Sequence, residues 1–454
     1  MKRLLYLTAL ICISCTPKVD VADFGASPEA DASTNTKAIN AALKGGNRKV
    51  VISKPGTYLL DSCLLVEDNT TFLCRQGVIL KKDKPYSFVI TNAGARTRTT
   101  NRNIRIIGAE IDANDLYDNP LTVKDPQYGC RGQIDFFHVR NALVKDVTIY
   151  GIVTSAATGI QMCSWENVRV QNTRIHTNGD AFHINRGHRL VVKNCEFCSG
   201  DDNIPLNAKD WANSAPEVGD ITDALFKNVT CLPHENPHGN VARHLVGSWT
   251  DWRKGMEIRP GDCVVNAGHT YLALYGPRAF SGEDNFYPGH FPDDGTKLVS
   301  LTEPDFDAAT GIMADEGGFL WRYEQDDECY HANIENIRYR NVNFTDDRTV
   351  ILAYYDTTGI YDRSFHPDTP KDNYPHITGI SFDKVRTNSP LLVSVHSAER
   401  LTFDYDIRNA SLPEKGYLVK VIGTVEGGSV RLGKMPAGSD NPVEVPSNVT
   451  VIRE

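Results

Sequence analysis

Seven eight-residue stretches along the chain carry one pattern of apolar and polar positions. They are IRIIGAEI from Ile104, ALVKDVTI from Ala142, VRVQNTRI from Val168, LVVKNCEF from Leu190, ALFKNVTC from Ala224, IRYRNVNF from Ile337 and ISFDKVRT from Ile380. Most place apolar residues at positions one, three and six, and in many position eight is apolar too. Alternation at one and three is a short strand with one buried face. Position five is Gly, Asp or Asn in six of the seven. Those residues tolerate a left-handed backbone and turn the chain sharply. Position six then starts a second short strand. Two strands meeting at a corner, repeated along the chain, predict the coils of a solenoid. The starts are separated by 38, 26, 22, 34, 113 and 43 residues. The smallest spacing is one bare coil; the larger ones carry loops.

An α/β barrel would need long amphipathic helices between strands, and few are present. One is predicted early, over STNTKAINAALKGG, residues 33 to 46, with Ser33 or Thr34 as its cap and Gly45 and Gly46 at its end. The run VADFGASPEADASTNTKAINAALKGG, followed by VVISKPGTYLL, resembles the opening segment of right-handed parallel β-helix proteins that act on carbohydrates. There the helix covers an open terminal coil, which would otherwise expose apolar residues and strand edges. The 113-residue gap holds GMEIRPGDCVVNAGHTYLALYGPRAF, which alternates like strands between turns. It predicts a small β-barrel or β-hairpin insertion over residues 253 to 315. The expected fold is therefore all-β: a right-handed parallel β-helix over residues 16 to 454, with a capping helix and one small β insertion.

Composition narrows the function. The 454 residues carry a net charge of −9, with acids and bases mixed and no basic stripe, so nucleic acid is not an expected partner. The chain opens on MKRLLYLTALICISC. Lys2 and Arg3 precede an apolar run from Leu4 to Ser14, far short of the roughly 20 residues that span a bilayer. This is the shape of a secretory signal. Ser14 followed by Cys15 resembles a bacterial lipoprotein cleavage box, which implies export, lipidation of Cys15 and a membrane attachment only through that anchor. Removing Cys12 and Cys15 leaves nine of 11 cysteines. An odd number argues against a full disulfide framework. The lone CEFC pair, Cys195 and Cys198, reads as core thiols rather than a zinc site.

The candidate chemistry lies in GDAFHINRGHRLVVKNCEFCSGDD, residues 179 to 202. Successive coils of a parallel β-helix stack about 4.8 Å apart. Asp180 lies 12 residues after the Val168 start, and Asp202 lies 12 after the Leu190 start. Asp180 should therefore stack beside Asp201 and Asp202. The following strands align as well: Phe182 and Ile184 fill the core with Ile204 and Leu206, while His183 and Asn203 point outward beside the acids. Strict alternation would turn Asp180 and Asp202 inward with Phe182. A turn must break that parity, because an unpaired buried carboxylate is too costly. Three close carboxylates cannot all ionise easily, so at least one pKa should rise. That separation of acid from base is what glycoside hydrolysis uses.

This layout resembles the polygalacturonase family of inverting glycoside hydrolases. TNGD at 177 to 180 partly matches its first motif, and GDD at 200 to 202 matches its second. The resemblance implies Asp180 and Asp201 as the base that holds the attacking water and Asp202 as the general acid, with acid and base about 6.5–9.5 Å apart. No Gly-His-Gly follows; His238 and His244 in HGNVARHLVGS stand in for it. No Arg-x-Lys follows either, which leaves Arg253, Lys254, Arg259 and Arg322 as candidates for a substrate carboxylate. The insertion after IRPGD looks closer to β-helical exo-galactosidases. His176, His183, Asn203, His238, Arg243, His244 and Arg322 are the expected sugar-binding residues, with His188 and His234 near them. Trp211, Trp249, Trp252 and Trp321 could stack on sugar rings. DDECYH, Asp326 to His331, lacks a partner one coil away and reads as a loop.

The sequence therefore points to an exported inverting glycoside hydrolase acting on a glycan rich in galactose or galacturonate, with no cofactor or metal needed. Two alternatives share the fold. A polysaccharide lyase or epimerase would abstract a proton beside a uronate carboxylate, often with Ca²⁺ or a Lys or Arg base. A non-catalytic glycan-binding solenoid would bind without the aspartates.

Overall fold

The computed structural model describes residues 16–122, 125–210, 214–258, 261–274, 298–305, 311–325, 328–355, 368–398, 400–437 and 441–454. Its main body is one 28-stranded sheet in which every pairing is parallel, wound as a right-handed β-helix. Three columns of strands form the coil. One runs through Ile134, Ile160, Phe182, Ile204, Ala242 and Ile351. The second contains all seven sequence stretches. Val144, Val170, Val192, Phe226, Tyr339 and Phe382 lie in register there, so the seven are consecutive coils of the same column. The third runs through Thr148, Arg174, Glu196, Thr230, Asn343 and Arg386.

Position five of each stretch is the corner between the second and third columns. Gly108, Asp146, Asn172, Asn194, Asn228, Asn341 and Lys384 all have positive φ there. The asparagines also bond along the stack: Asn172 to Asp146 at 2.8 Å, Asn194 to Asn172 at 3.2 Å, Asn228 to Asn194 at 2.9 Å and Asn341 to Asn228 at 2.9 Å. A residue type chosen for its backbone thus also ties each coil to the last. Inside, Phe226, Tyr339 and Phe382 stack at 5.2 and 5.1 Å.

The helix runs over Ala32–Leu43 and buries Ile39, Ala42 and Leu43. Its cap is Asp31, not Ser33 or Thr34: Asp31 Oδ1 accepts the Thr34 N–H at 2.8 Å. The insertion is wider than residues 253 to 315. It runs from Gly247–Ser248, paired with His331–Ala332, through a five-stranded sheet ordered Thr250–Asp251, Cys263–Asn266, His269–Leu274, Phe319–Gln325, Ile312–Asp315. Its pairings are antiparallel except the first, and its described strands form an open sheet rather than a closed barrel. One face has a small core of its own, with Ile258, Val264, Tyr271 and Trp321. The other joins the main core through Trp249, Val265 and Leu272.

The nine described cysteines are all free thiols, and Cys195 is buried while Cys198 is half-buried. No described helix is long and apolar enough to cross a membrane. The signal segment with Cys15 lies outside the described residues.

Candidate active site

Two consecutive side chains turn inward where the chain enters the first column. Ala181 and Phe182, Val241 and Ala242, and Val350 and Ile351 are all fully buried in the main core. A side chain added at Gly159, one coil before Ala181, would meet Ile175 in that core. This double inward step breaks strand alternation. It turns the preceding residues, Asp180 and Asp202, away from the core and onto one outer site. Asn203 pays the cost of the same step. It stands in the inward column between Ala181 and Val241, fully buried, with neither amide atom paired. It does not face a sugar, contrary to the sequence expectation.

The three carboxylates converge. One oxygen each from Asp180, Asp201 and Asp202 lies within 4.8 Å of the others. This is closer than the roughly 6.5–9.5 Å usual between acid and base in inverting enzymes. The stacking is direct: the Asp202 N–H donates to Asp180 Oδ1 at 3.0 Å. His183 Nδ1 donates to Asp180 Oδ2 at 2.5 Å, and its Nε2 lies 3.3 Å from Asp210 Oδ2. Arg131 Nη2 stands 4.0 Å from Asp180 Oδ2. Asp202 Oδ1 accepts the Asn240 N–H at 2.7 Å. Arg243 Nε lies 3.2 Å from Asp202 Oδ2 but is aimed at Asn207 Oδ1, 3.1 Å away. Asp202 Oδ2 therefore receives charge and no hydrogen bond.

These surroundings split the three acids. Burial would raise Asp180, but His183, Arg243 and Arg131 outweigh it and hold its pKa below the usual carboxylate value. Burial lifts Asp202 to about 7, helped by the charges of Asp201 and Asp180 and opposed by Arg243. Burial and the charge of Asp180 lift Asp201 to about 6. His183 would lose its proton on burial alone; Asp180 and Asp210 reverse that and raise its pKa. Near neutral pH the site thus holds an ionised Asp180 beside an Asp202 that is partly protonated. A divalent cation is the other occupant that three converging carboxylates could hold, but Arg243, Arg131 and His183 already place positive charge there.

The loop after the next strand completes the site. His238 and Gly239 both donate to Gly200 O, at 2.7 and 3.2 Å. His238 Nε2 stands 3.9 Å from Asp201 Oδ2. A Cβ on Gly239 would lie 2.3 Å from Asp201 Oδ1, so the close approach needs glycine. Arg348 holds the other side of the turn. Its guanidinium donates to the carbonyls of Ser199, Gly200 and Asp201 at 2.7–2.9 Å and pairs with Asp346.

Other expected sugar-binding residues lie elsewhere. His244 points into the core, where Nε2 lies 2.9 Å from the Tyr339 hydroxyl and burial pushes its pKa down to about 3. Arg322 is buried in the insertion, pairing with Glu324 at 2.5 Å and donating to Ala215 O at 3.2 Å. Trp249 and Trp321 are core residues, and Trp252 donates to Ser300 Oγ within the insertion. Arg253 pairs with Asp368 on the surface, and exposed His188 lies 3.9 Å from Glu166. His176 packs edge-on against His234 at 5.4 Å in a separate cleft with Asn178 and Asp115. Trp211, Arg259 and Asp326 lie outside the described residues. Arg131, Asp210, Arg348 and Gln161 escaped the sequence reading. Only Gln161 had a signal, its position 22 residues before His183 in register.

A scan of family models and a search of curated proteins gave no match to this sequence. Solved structures do match. A family 28 exopolygalacturonase from Yersinia enterocolitica aligns at TM-score 0.50 and 14% identity, covering 96% of this chain and 78% of that one. The A-module of a mannuronan C-5 epimerase from Azotobacter vinelandii aligns at TM-score 0.47 and 9% identity, over 95% and 99%. A surface adhesin of Streptococcus pneumoniae aligns at 0.41 and 13%, over 92% and 90%. The chain thus shares the parallel β-helix of polygalacturonases, and neighbours of this fold include glycan-active enzymes and an adhesin.

Proposed function

We propose that this protein is an exported glycoside hydrolase that cleaves a galactose- or galacturonate-containing glycan through Asp180, Asp201 and Asp202. One observation carries the reading: three converging carboxylates whose surroundings divide them into a proton holder and ionised partners. Asp202 is the general acid. Burial keeps a share of it protonated up to near neutral pH, and its Oδ2 has no hydrogen-bond donor that would hold it ionised. Asp201, the more exposed of the three, takes the proton from water. Asp180 steadies that water.

The short spacing changes where the water sits. It would be held between Asp180 and Asp201, and must still attack the anomeric carbon on the face opposite the oxygen that Asp202 protonates. Single displacement with inversion remains the proposed course. Asp180 has both oxygens engaged by N–H donors, which weakens it as a nucleophile for a covalent sugar intermediate. The same cluster supports a second reading, a lyase or epimerase in which a cation bridges the carboxylates. Activity that survives a chelator and leaves no unsaturated sugar separates the two.

The test is release of reducing sugar from a panel of galactose and galacturonate glycans by wild type and Asp202→Asn, each lacking residues 1 to 15. Loss of two to four orders of magnitude in the variant is expected of a general acid. Equal rates would refute the assignment.

A further inference from the structure

We propose that the cleft between His176 and His234 is a second sugar subsite, which holds an uncharged unit of the glycan near the reacting one. This rests on the hydrolase reading and adds a specificity that the aspartates do not set. The cleft has a volume of about 300 Å³, at the small end of ligand sites, so it takes a short piece of chain. A bulge opens it. Ile149 pairs with Ile175 and Ile152 with Thr177, so the earlier strand carries one residue more than the later. Gly151 takes up that extra length at positive φ. Beyond the bulge, Val153 stands 60% exposed as an apolar floor. The roof comes from the carboxyl-terminal side. The chain after Leu232 folds back over Cys198, whose thiol donates to Pro233 O at 3.4 Å, and sets the His234 ring edge-on to His176.

The cleft and the triad share their walls. Asn178 lines the cleft, its carbonyl accepts the Asp201 N–H at 3.1 Å, and Asp180 follows two residues on. His234 and Asn236 line the cleft, while His238 and Gly239 of the same loop bond to Gly200 beside the acids. Two residues of chain span about 7 Å at most, so a glycan held at the triad can reach the cleft with its next units. The lining suits an uncharged pyranose. Val153 and the imidazole faces match the apolar side of a sugar ring. His234 Nδ1 accepts the Asn236 N–H at 3.0 Å, which leaves Nε2 as the donor of the neutral ring. Burial and the neighbouring His176 hold the His234 pKa below its usual value, which keeps that ring neutral. Asn178 Nδ2 donates to Val153 O at 2.9 Å, which leaves Oδ1 to accept from a sugar hydroxyl. Asp115 and Glu235 add two carboxylates, which accept from hydroxyls and repel a uronate. Among the described residues that line the cleft, none is lysine or arginine. Arg348 bears on His234 through its charge, but Asp346 and the carbonyls of Ser199, Gly200 and Asp201 already hold it.

The test is calorimetric binding of galactan and galacturonan oligomers to Asp202→Asn, alone and combined with Val153→Glu or His176→Ala. Val153 and His176 are exposed, and unchanged unfolding midpoints check that the substitutions leave the fold intact. Galactan oligomers should bind. Val153→Glu removes the apolar floor and adds a third carboxylate, so it should weaken that binding about tenfold, and His176→Ala should weaken it several-fold. Any binding of galacturonan oligomers should be unaffected by either substitution. The proposal is overturned if galactan oligomers do not bind, if both substitutions leave their affinity unchanged, or if galacturonan affinity falls as far as that of galactan. Sugar release by the wild type is scored separately. Release together with cleft-independent binding removes the subsite and leaves the hydrolase; cleft-dependent binding without release does the reverse. Should Asp202→Asn fail to fold, the same titrations on the wild-type background decide.

Discussion

The buried acid should be visible in stability before any substrate is known. Asp202 is fully buried, and its pKa stands at about 7 in the folded protein. In an unfolded chain it would be about 3.9. The native state therefore binds this proton more tightly. The resulting stability is fully present below pH about 4 and is lost as pH rises through about 7. Three pKa units correspond to about 4 kcal/mol in all, of which roughly 2–3 kcal/mol falls between pH 5 and pH 8. Asp202→Asn keeps the oxygen that accepts the Asn240 N–H and removes the titration. Urea unfolding of both proteins at pH 5 and pH 8 gives the comparison. The variant should gain on wild type as pH rises, by on the order of 2 kcal/mol. A difference independent of pH, or one that grows toward acid, would refute the argument that Asp202 is held protonated.

Other outcomes follow from the same geometry. The pH profile of activity should climb as Asp201 ionises near about 6 and fall as Asp202 ionises near about 7, giving a narrow bell around neutrality; a flat profile across that range would contradict it. Gly239→Ala should fold normally yet lose about a hundredfold in rate, because its Cβ would displace Asp201. Asn194→Ala should cost about 2 kcal/mol in denaturant unfolding, from a left-handed alanine and two lost ladder bonds, without altering the site. Proton spectra of the first product should show the inverted anomer; a retained anomer would make one aspartate a nucleophile despite the bonds that engage it.

The coil was legible because two needs coincide at single positions. A left-handed corner and a stacking amide both favour Asn, so the column marked by Asp146, Asn172 and Asn194 stood out in the chain. A second ladder, through Asn47, Asn69, Asn103, Asn141 and Asn167, follows the same logic and was overlooked, because it precedes the apolar pattern rather than falling inside it. Twenty-two-residue spacing was enough to bring Asp180 beside Asp202. It could not place Arg131 or Asp210, which come from loops whose paths no periodicity governs. Asn203 and His244 were misplaced because alternation fails where two successive residues face inward, and because a polar type at a strand position looks outward in sequence. The extent of the insertion was misjudged at its edges, where two-residue strands leave no pattern.

The most direct test of the central claim is the fate of solvent oxygen. Wild type and Asp202→Asn would be incubated with galacturonan and galactan oligomers in isotopically labelled water, and the products weighed by mass spectrometry. The account predicts one labelled oxygen at each new reducing end, no unsaturated sugar, and loss of both cleavage and label in the variant. Unlabelled products ending in an unsaturated sugar, or chains epimerised without being shortened, would contradict it.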